Sequence, residues 1–290
     1  MIIHGFTFVR NAVKYDYPVI ESITSILPIV DEFIVSVGNS DDNTLQLIES
    51  IGSPKIRIIH SVWDDSLREG GRVLAVETDK TFARISPSAD WAFYLQADEV
   101  VHEKYLETIK NEAEKYLHDK KVEGLLFKYL HFYGTYDYIG NSRRWYNREI
   151  RLIRNDKTIK SYRDAQGFRK AGRKLNVKLI DAYINHYGWV KHPQKQQKKR
   201  DDFGLLWSND QQAIIKEETR DMFDYMKDAD VLMPFTNSHP AVMHKRINEK
   251  NWEANFNLTK TNLSVKDRLL YNIEKITGRR IFDYRNYKII

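Results

Sequence analysis

The 290-residue chain contains no cysteine, which excludes disulfides, thiol catalysis and thiolate metal sites and gives no sign of an oxidising compartment. No uninterrupted apolar run approaches the roughly 20 residues that a membrane helix needs. The opening "MIIHGFTFVRNA" has neither the basic start nor the long apolar core of a secretion signal. A cytoplasmic protein is therefore expected, with peripheral contact to an anionic membrane left open. Internal repeats and low-complexity tracts are also absent. What the chain does have is 30% charged and 12% aromatic residues, including 17 Tyr. That composition is globular and supplies half-wet packing positions or a surface for stacking on sugars or bases. A net charge of +6 admits phosphate-bearing small molecules, anionic lipid or nucleic acid as partners and does not choose among them.

The first hundred residues alternate two kinds of pattern. Strand-like runs at 2–9, 31–38, 55–62 and 90–97 are separated by helical spacing at 17–30, 39–52 and 72–85. Such alternation predicts right-handed crossovers and an α/β fold with a mostly parallel, mixed sheet flanked by helices. Ligands of such sheets lie outside the carboxyl ends of the strands, so the loops after Val9, Val37, Val62 and Leu95 are the expected site. The second half loses this rhythm. "VEGLLFKYLHFYG" (122–134) and "EIRLIRN" (149–155) read as antiparallel strands, with another inside 174–188, and the remainder to about Trp189 reads as loop. From there the pattern is helical and charged, with 208–226 the clearest helix. The expected organisation is a catalytic domain over 1–192 and a helical extension over 193–290 that serves as lid, partner surface or membrane-facing element.

The stretch "ADWAFYLQADE" runs an apolar strand into two adjacent carboxylates, Asp98 and Glu99. A hard divalent cation, Mg²⁺ or Mn²⁺, needs one or two carboxylates completed by diphosphate and water, and a strand end supplies them. The competing explanation is two solvated acids favouring the amino end of the helix expected over 102–117.

Taken together, "FVRNA", "DEFIVSVGNSDDNT" and "ADWAFYLQADE" resemble the family-2 glycosyltransferases of the GT-A fold over about the first 100 residues. A weaker likeness runs through "WYNREIRLIRN" and "INHYGW" to about Lys199. The resemblance implies a nucleotide-sugar donor, a saccharide or lipid-linked acceptor, a divalent metal and no nucleic acid. Asp98 falls on the metal-reaching second Asp of the Asp-any-Asp motif, and Gln96 replaces the first. Ser40, Asp42 and Thr44 fall on the Ser, Asp and Thr of the acid-rich turn, whose paired acids are replaced by Val37 and Gly38. Arg10 and Asn11, at the end of the first strand, are expected to grip phosphate. Arg72, after paired glycines, begins the helix placed beside the donor. Asp164 is the expected base for the acceptor hydroxyl. His186 is a further metal ligand, and Tyr187 and Trp189 are stacking candidates. Cations to meet the leaving group are sought in Arg143, Arg144, Arg148 and Arg151, Arg148 being the one assigned to the donor site. The basic run "HPQKQQKKR" touches diphosphate, an anionic leaflet or only solvent. Two other readings are kept open. A nucleotidyltransferase would carry a glycine-rich loop after its first strand, and "FVRNAVKYDYP" has no glycine there. A non-catalytic nucleotide- or RNA-binding protein is favoured by the missing acids but needs aromatics on an open sheet face.

Overall fold

The computed structural model describes residues 1–67, 69–207, 221–259 and 262–290. Strands β1 (Ile3–Val9), β2 (Glu32–Val37), β3 (Ile56–His60) and β4 (Trp91–Tyr94) alternate with helices α1 (Val19–Ile26), α2 (Thr44–Glu49) and α3 (Arg72–Phe82). Then come β5 (Glu99–Val101), α4 (Leu106–Lys115), β6 (Gly124–Tyr133), β7 (Tyr138–Gly140) and β8 (Arg148–Arg154). They are followed by β9 (Ile159–Tyr162), β10 (Gly167–Lys170), β11 (Arg173–Trp189), α5 (Pro193–Trp207), β12 (Leu232–Pro234) and β13 (Tyr287–Ile289). The main path of the sheet is β3-β2-β1-β4-β8-β6-β11-β10-β9. The first four strands are mutually parallel, β8 runs antiparallel between β4 and β6, and β6 pairs parallel with β11. This is the α/β, mixed-sheet architecture that the first half of the sequence predicts.

Both faces of the sheet are covered because its strands are apolar on both sides, as parallel strands must be. On β2, Phe33 and Val35 join the core under α1 and α4, with Ile23, Ile26 and Ile109, while Ile34 between them joins Phe6 and Phe82 of α3 on the other face. Glycine is required at Gly5, where an added Cβ would stand 2.5 Å from the Phe33 ring.

Three expectations need correcting. The stretch expected to be loop contains β9 and β10, which pair antiparallel with each other, β10 also pairing antiparallel with the start of β11. Each is four residues long with one dominant apolar anchor, Ile159 or Phe168, so period-two alternation had too little length to show. The C-terminal third is not purely helical: β12 pairs with β7 and β13 with β11, which returns the chain to the sheet. The helix expected over 208–226 lies outside the described residues for 208–220, and 221–226 is non-helical, with Phe223 and Tyr225 buried. Among the described residues no helix is long and apolar enough to cross a membrane.

One buried acid on β8 titrates near neutrality. Burial, with Glu99 and Asp164 adding to it and Arg151 opposing, pushes Glu149 up to about 7. Because its folded value lies above its unfolded one, the native state binds the extra proton, and stability falls as pH rises from about 4.5 to 7. Glu149→Gln should therefore unfold later than the wild type at pH 8, by up to about 3 kcal/mol. The gap should close near pH 5 in urea denaturation.

Candidate functional site

The carboxyl ends of β1, β2, β3 and β4 open onto a cleft of about 600 Å³ lined by Arg10, Asn11, Lys14, Asp41, Trp63, Asp65, Gln96, Asp98, Asp164, His186, Trp189, Lys199 and Asp202, with apolar residues between. Its floor is the turn after β4. The Glu99 N–H donates to the Gln96 carbonyl at 3.0 Å, which reverses the chain so that successive carboxylates point to opposite sides. Asp98 faces the cleft and Glu99 faces the core. There the Glu99 carboxylate accepts Arg151 Nε and Nη2, both at 2.7 Å, the Tyr129 hydroxyl at 2.8 Å and the Gln96 N–H at 3.1 Å. Glu99 and Arg151 are both fully buried. This removes two expected roles: Glu99 has no oxygen left for a cation, and Arg151 neutralises Glu99 instead of a leaving group. The acids do not cap α4 either, since β5 intervenes.

Asp98 lies beside His186, with Oδ1 3.7 Å from Nε2, and beside Lys199, with Oδ2 3.5 Å from Nζ. Burial pushes its carboxyl upward, but His186, Lys199 and Lys191 outweigh this and hold it below the ordinary range, so it is ionised. The tautomer of His186 follows from its partners. His131 Nε2 lies 2.7 Å from the Tyr146 carbonyl, which only accepts, so Nε2 carries the hydrogen. Burial keeps the His131 ring neutral, leaving its Nδ1 to accept from His186 Nδ1 at 3.1 Å. The lone pair of His186 is thereby fixed on Nε2, facing Asp98 and the cleft. Burial likewise lowers the His186 pKa, against the opposing pull of Asp98 and Glu99. Gly188 leaves the space between the two donors: a Cβ there would stand 2.7 Å from both Asp98 Oδ2 and His186 Nε2.

A divalent cation fits these residues. An ionised carboxylate and a neutral imidazole nitrogen converge on one cradle, and both are suitable donors to Mg²⁺ or Mn²⁺. The wall charges agree: among the described residues three cations (Arg10, Lys14, Lys199) face five carboxylates (Asp41, Asp65, Asp98, Asp164, Asp202). An anionic ligand entering alone would meet net negative charge. Among the described residues no three His, Asp or Glu side chains converge as a closed metal shell. For a cation held here, Asp98 and His186 would be the protein's share of the coordination, with the remainder left to ligand and water.

The other expected residues divide. Arg10 is in the cleft, its guanidinium 5.6 Å from the Trp63 ring centre and ion-paired with Asp65 at 2.7 Å. Asn11 is held at φ 57°; its N–H donates to Ser40 Oγ and its Oδ1 accepts from the Asp41 N–H. Ser40 therefore ties the first loop to the second. Asp42 turns away from the cleft to accept from the Lys14 and Thr44 N–H groups, and Asp41 lines the wall in its place. Gln96 is on the floor. Arg72 lines an adjoining hollow of about 900 Å³ with Asp79, Ser161, Gln166 and, shared with the cleft, Gln96 and Asp164. Asp164 thus stands on the border of the two spaces, and burial raises its pKa. Arg148 sits at the start of β8 opposite Lys128 and lines neither space. Arg143 binds Glu274, and Arg144 lies between Trp145 and Trp189. Tyr187 packs on Phe132 away from the cleft, whereas Trp189 lines it.

Besides Arg10 and Lys14, basic residues reach the site from just beyond β11 and from α5. Lys199 lines the cleft, and Lys191 is fully buried behind it with Nζ donating to the Tyr15 carbonyl at 2.8 Å. Lys195, Lys199 and Asp202 follow at helical i, i+4, i+7 spacing and all face the first loop. That spacing was the signal in "KQQKKRDD", and His131 gave none.

No family model matches the chain, and no curated protein matches it. Among solved structures it is similar to S. aureus TarS at 15% identity, over 75% of this chain and 42% of TarS, with a TM-score of 0.40. The TarS 1–349 complex with UDP-GlcNAc matches at 13% identity, over 71% and 66%, with a TM-score of 0.40. Glucosyl-3-phosphoglycerate synthase from Mycobacterium tuberculosis, in complex with Mn²⁺, UDP and phosphoglyceric acid, matches at 18% identity over 45% and 43%, with a TM-score of 0.31. The chain spans less than two thirds of each of these structures. The likeness is partial, and the reading of the cleft rests on this chain's own residues.

The two neighbouring carboxylates should respond differently to neutralisation. Glu99→Gln strands the Arg151 guanidinium in the core and should cost about 3–5 kcal/mol in urea denaturation. Asp98→Asn, on the cleft side of the same turn, should cost less than this, because its charged neighbours stand at 3.5–3.7 Å and not in the bidentate 2.7 Å contact that Glu99 makes.

Proposed function

We propose that the protein is a glycosyltransferase that moves a sugar from a nucleotide-sugar donor to an acceptor hydroxyl with inversion, assisted by Mg²⁺ or Mn²⁺ held by Asp98 and His186. The observation that carries this reading is the border position of Asp164, between a charged cleft that has a cation cradle on its floor and a second hollow that can receive an acceptor. Arg10 and Lys14 line the mouth of the cleft, and Trp63 beside Arg10 offers a ring for a base or sugar to stack on.

In this scheme the donor lies along the ends of β1 and β4, with its diphosphate over Asp98 and Lys199. When bound, the cation neutralises charge on the departing diphosphate. The acceptor occupies the hollow beside Arg72. The Asp164 carboxylate takes the proton of the acceptor hydroxyl. The oxygen forms the new bond to the anomeric carbon from the face opposite the phosphate. The bond from that carbon to the phosphate oxygen breaks, and its electron pair leaves with the nucleoside diphosphate. Lys199 places its amino group beside the leaving oxygens and Lys191 stands behind it, with burial lowering the pKa of both, Lys191 the more strongly. His131 acts only through His186, by fixing the nitrogen that faces the cleft.

The direct test is a thermal-shift panel of nucleoside diphosphates and nucleotide sugars with Mn²⁺ or with chelator. At least one nucleotide should raise the melting temperature of the wild type in the presence of Mn²⁺, and Asp98→Asn should abolish that shift while keeping its circular dichroism. If no nucleotide shifts the wild type under either condition, the reading fails. Two further variants separate roles. Asp164→Asn should keep the shift and lose about 10²–10⁴-fold in transfer rate. His131→Phe should weaken Mn²⁺ binding about 10–100-fold, read by titration calorimetry.

A further inference from the structure

The helix Val265–Thr277 buries none of its residues. Val265, Leu269 and Ile276 are 89%, 62% and 85% exposed, and just beyond the helix Phe282 is 89% exposed. At about 100° per residue the three helical positions fall within an arc of about 40°, which makes one apolar stripe interrupted only by Asn272. The exposed cations Arg268 and Lys275 flank the stripe on one side and Lys266 on the other, with Arg279 exposed just past the last turn. The helix's two acids, Asp267 and Glu274, lie about 180° from the stripe. Asp267 is bound to the Ser264 cap, and Glu274 to Arg143 and Arg280.

The mounting is polar and firm. Asn141 donates to the Tyr271 hydroxyl at 3.1 Å, Arg143 Nη2 to the Ile281 carbonyl at 2.5 Å, and Arg280 Nη2 to the Ser142 carbonyl at 3.3 Å. Phe282 holds its exposed ring on backbone at φ 56°, a conformation that costs a non-glycine residue energy. An amphipathic helix ordinarily turns its apolar stripe to the core. This one is fixed by its polar side with the stripe outward.

We infer that the face formed by Val265, Leu269, Ile276 and Phe282, with Lys266, Arg268, Lys275 and Arg279 around it, docks the protein on the surface of an anionic lipid bilayer. Apolar side chains enter the acyl boundary while the surrounding cations meet anionic headgroups. The charge pattern favours this occupant over a second copy of the chain, because a two-fold pairing of the stripe would bring its flanking cations against one another. The basic run at 192–200, for which diphosphate, an anionic leaflet and solvent are the alternatives in the sequence, is partly spent on the cleft through Lys199. Membrane docking through this face does not depend on the proposed chemistry.

The test is co-sedimentation of the full chain with vesicles of phosphatidylcholine alone and of phosphatidylcholine mixed with phosphatidylglycerol, at low and high salt. Binding should require phosphatidylglycerol and weaken with salt. The triple variant Leu269→Ser, Ile276→Ser, Phe282→Ser should bind at least about tenfold less, with unchanged circular dichroism because all three side chains are exposed. Arg268→Glu with Lys275→Glu should lose binding and leave the nucleotide-induced thermal shift intact. The inference is overturned if the wild type ignores anionic vesicles or if the triple variant binds them as well as the wild type does. It is equally overturned if the wild type is a dimer by analytical ultracentrifugation and the triple variant a monomer.

Discussion

The site depends on one buried ion pair. Arg151, from the middle of β8, reaches across the sheet to take both oxygens of Glu99, and the same carboxylate collects the Gln96 N–H. A charge pair with no solvent exposure is tolerated only when its remaining lone pairs are satisfied, and the Tyr129 hydroxyl completes that set. The turn after β4 is therefore cross-braced to β6 and β8, and Asp98 is presented to the cleft by a backbone that has no slack. A carboxylate on a mobile loop would lose much of its binding energy to its own ordering.

A second brace governs the imidazole. His131, on β6, is enclosed by Tyr129, Trp145 and Tyr146 and bound to a backbone carbonyl, so its ring has one orientation and one tautomer. That state passes to His186 on the adjacent β11 through a single hydrogen bond. Asp98 and His186 are thus fixed independently, one by an ion pair and one by a histidine pair, and they meet over the bare backbone of Gly188.

How much of this was legible follows from the physics of each element. The parallel half announced itself because strands buried on both faces must be apolar at every position and helices must repeat every 3.6 residues. Asp98 was visible because a carboxylate at such a strand's end is conspicuous, and His186 because it closes a strand rich in aromatics. Glu99 was misjudged, since adjacent acids carry no sign of which one will find an arginine fifty-two positions away. The arginines of 143–151 look alike in sequence yet serve the core, the C-terminal segment and an indole pair. The contact made by Lys199, in a run open to diphosphate, leaflet or solvent, and the burial of Lys191 before it are not legible, because both depend on how α5 lies across the first loop. Short β9, β10, β12 and β13 escaped notice because three or four residues cannot display a period.

The left-handed backbone at Asn11 has a consequence for how this chain can drift in sequence. Its main chain and side chain together join the loop that ends β1 to the loop that ends β2, in a conformation that asparagine, aspartate and glycine enter cheaply and branched residues do not. Of those three, glycine would drop the acceptor for Asp41, and aspartate would add a sixth carboxylate to a wall that already has five. Position 11 has a single comfortable occupant, so two loops about thirty residues apart in sequence are obliged to evolve as one.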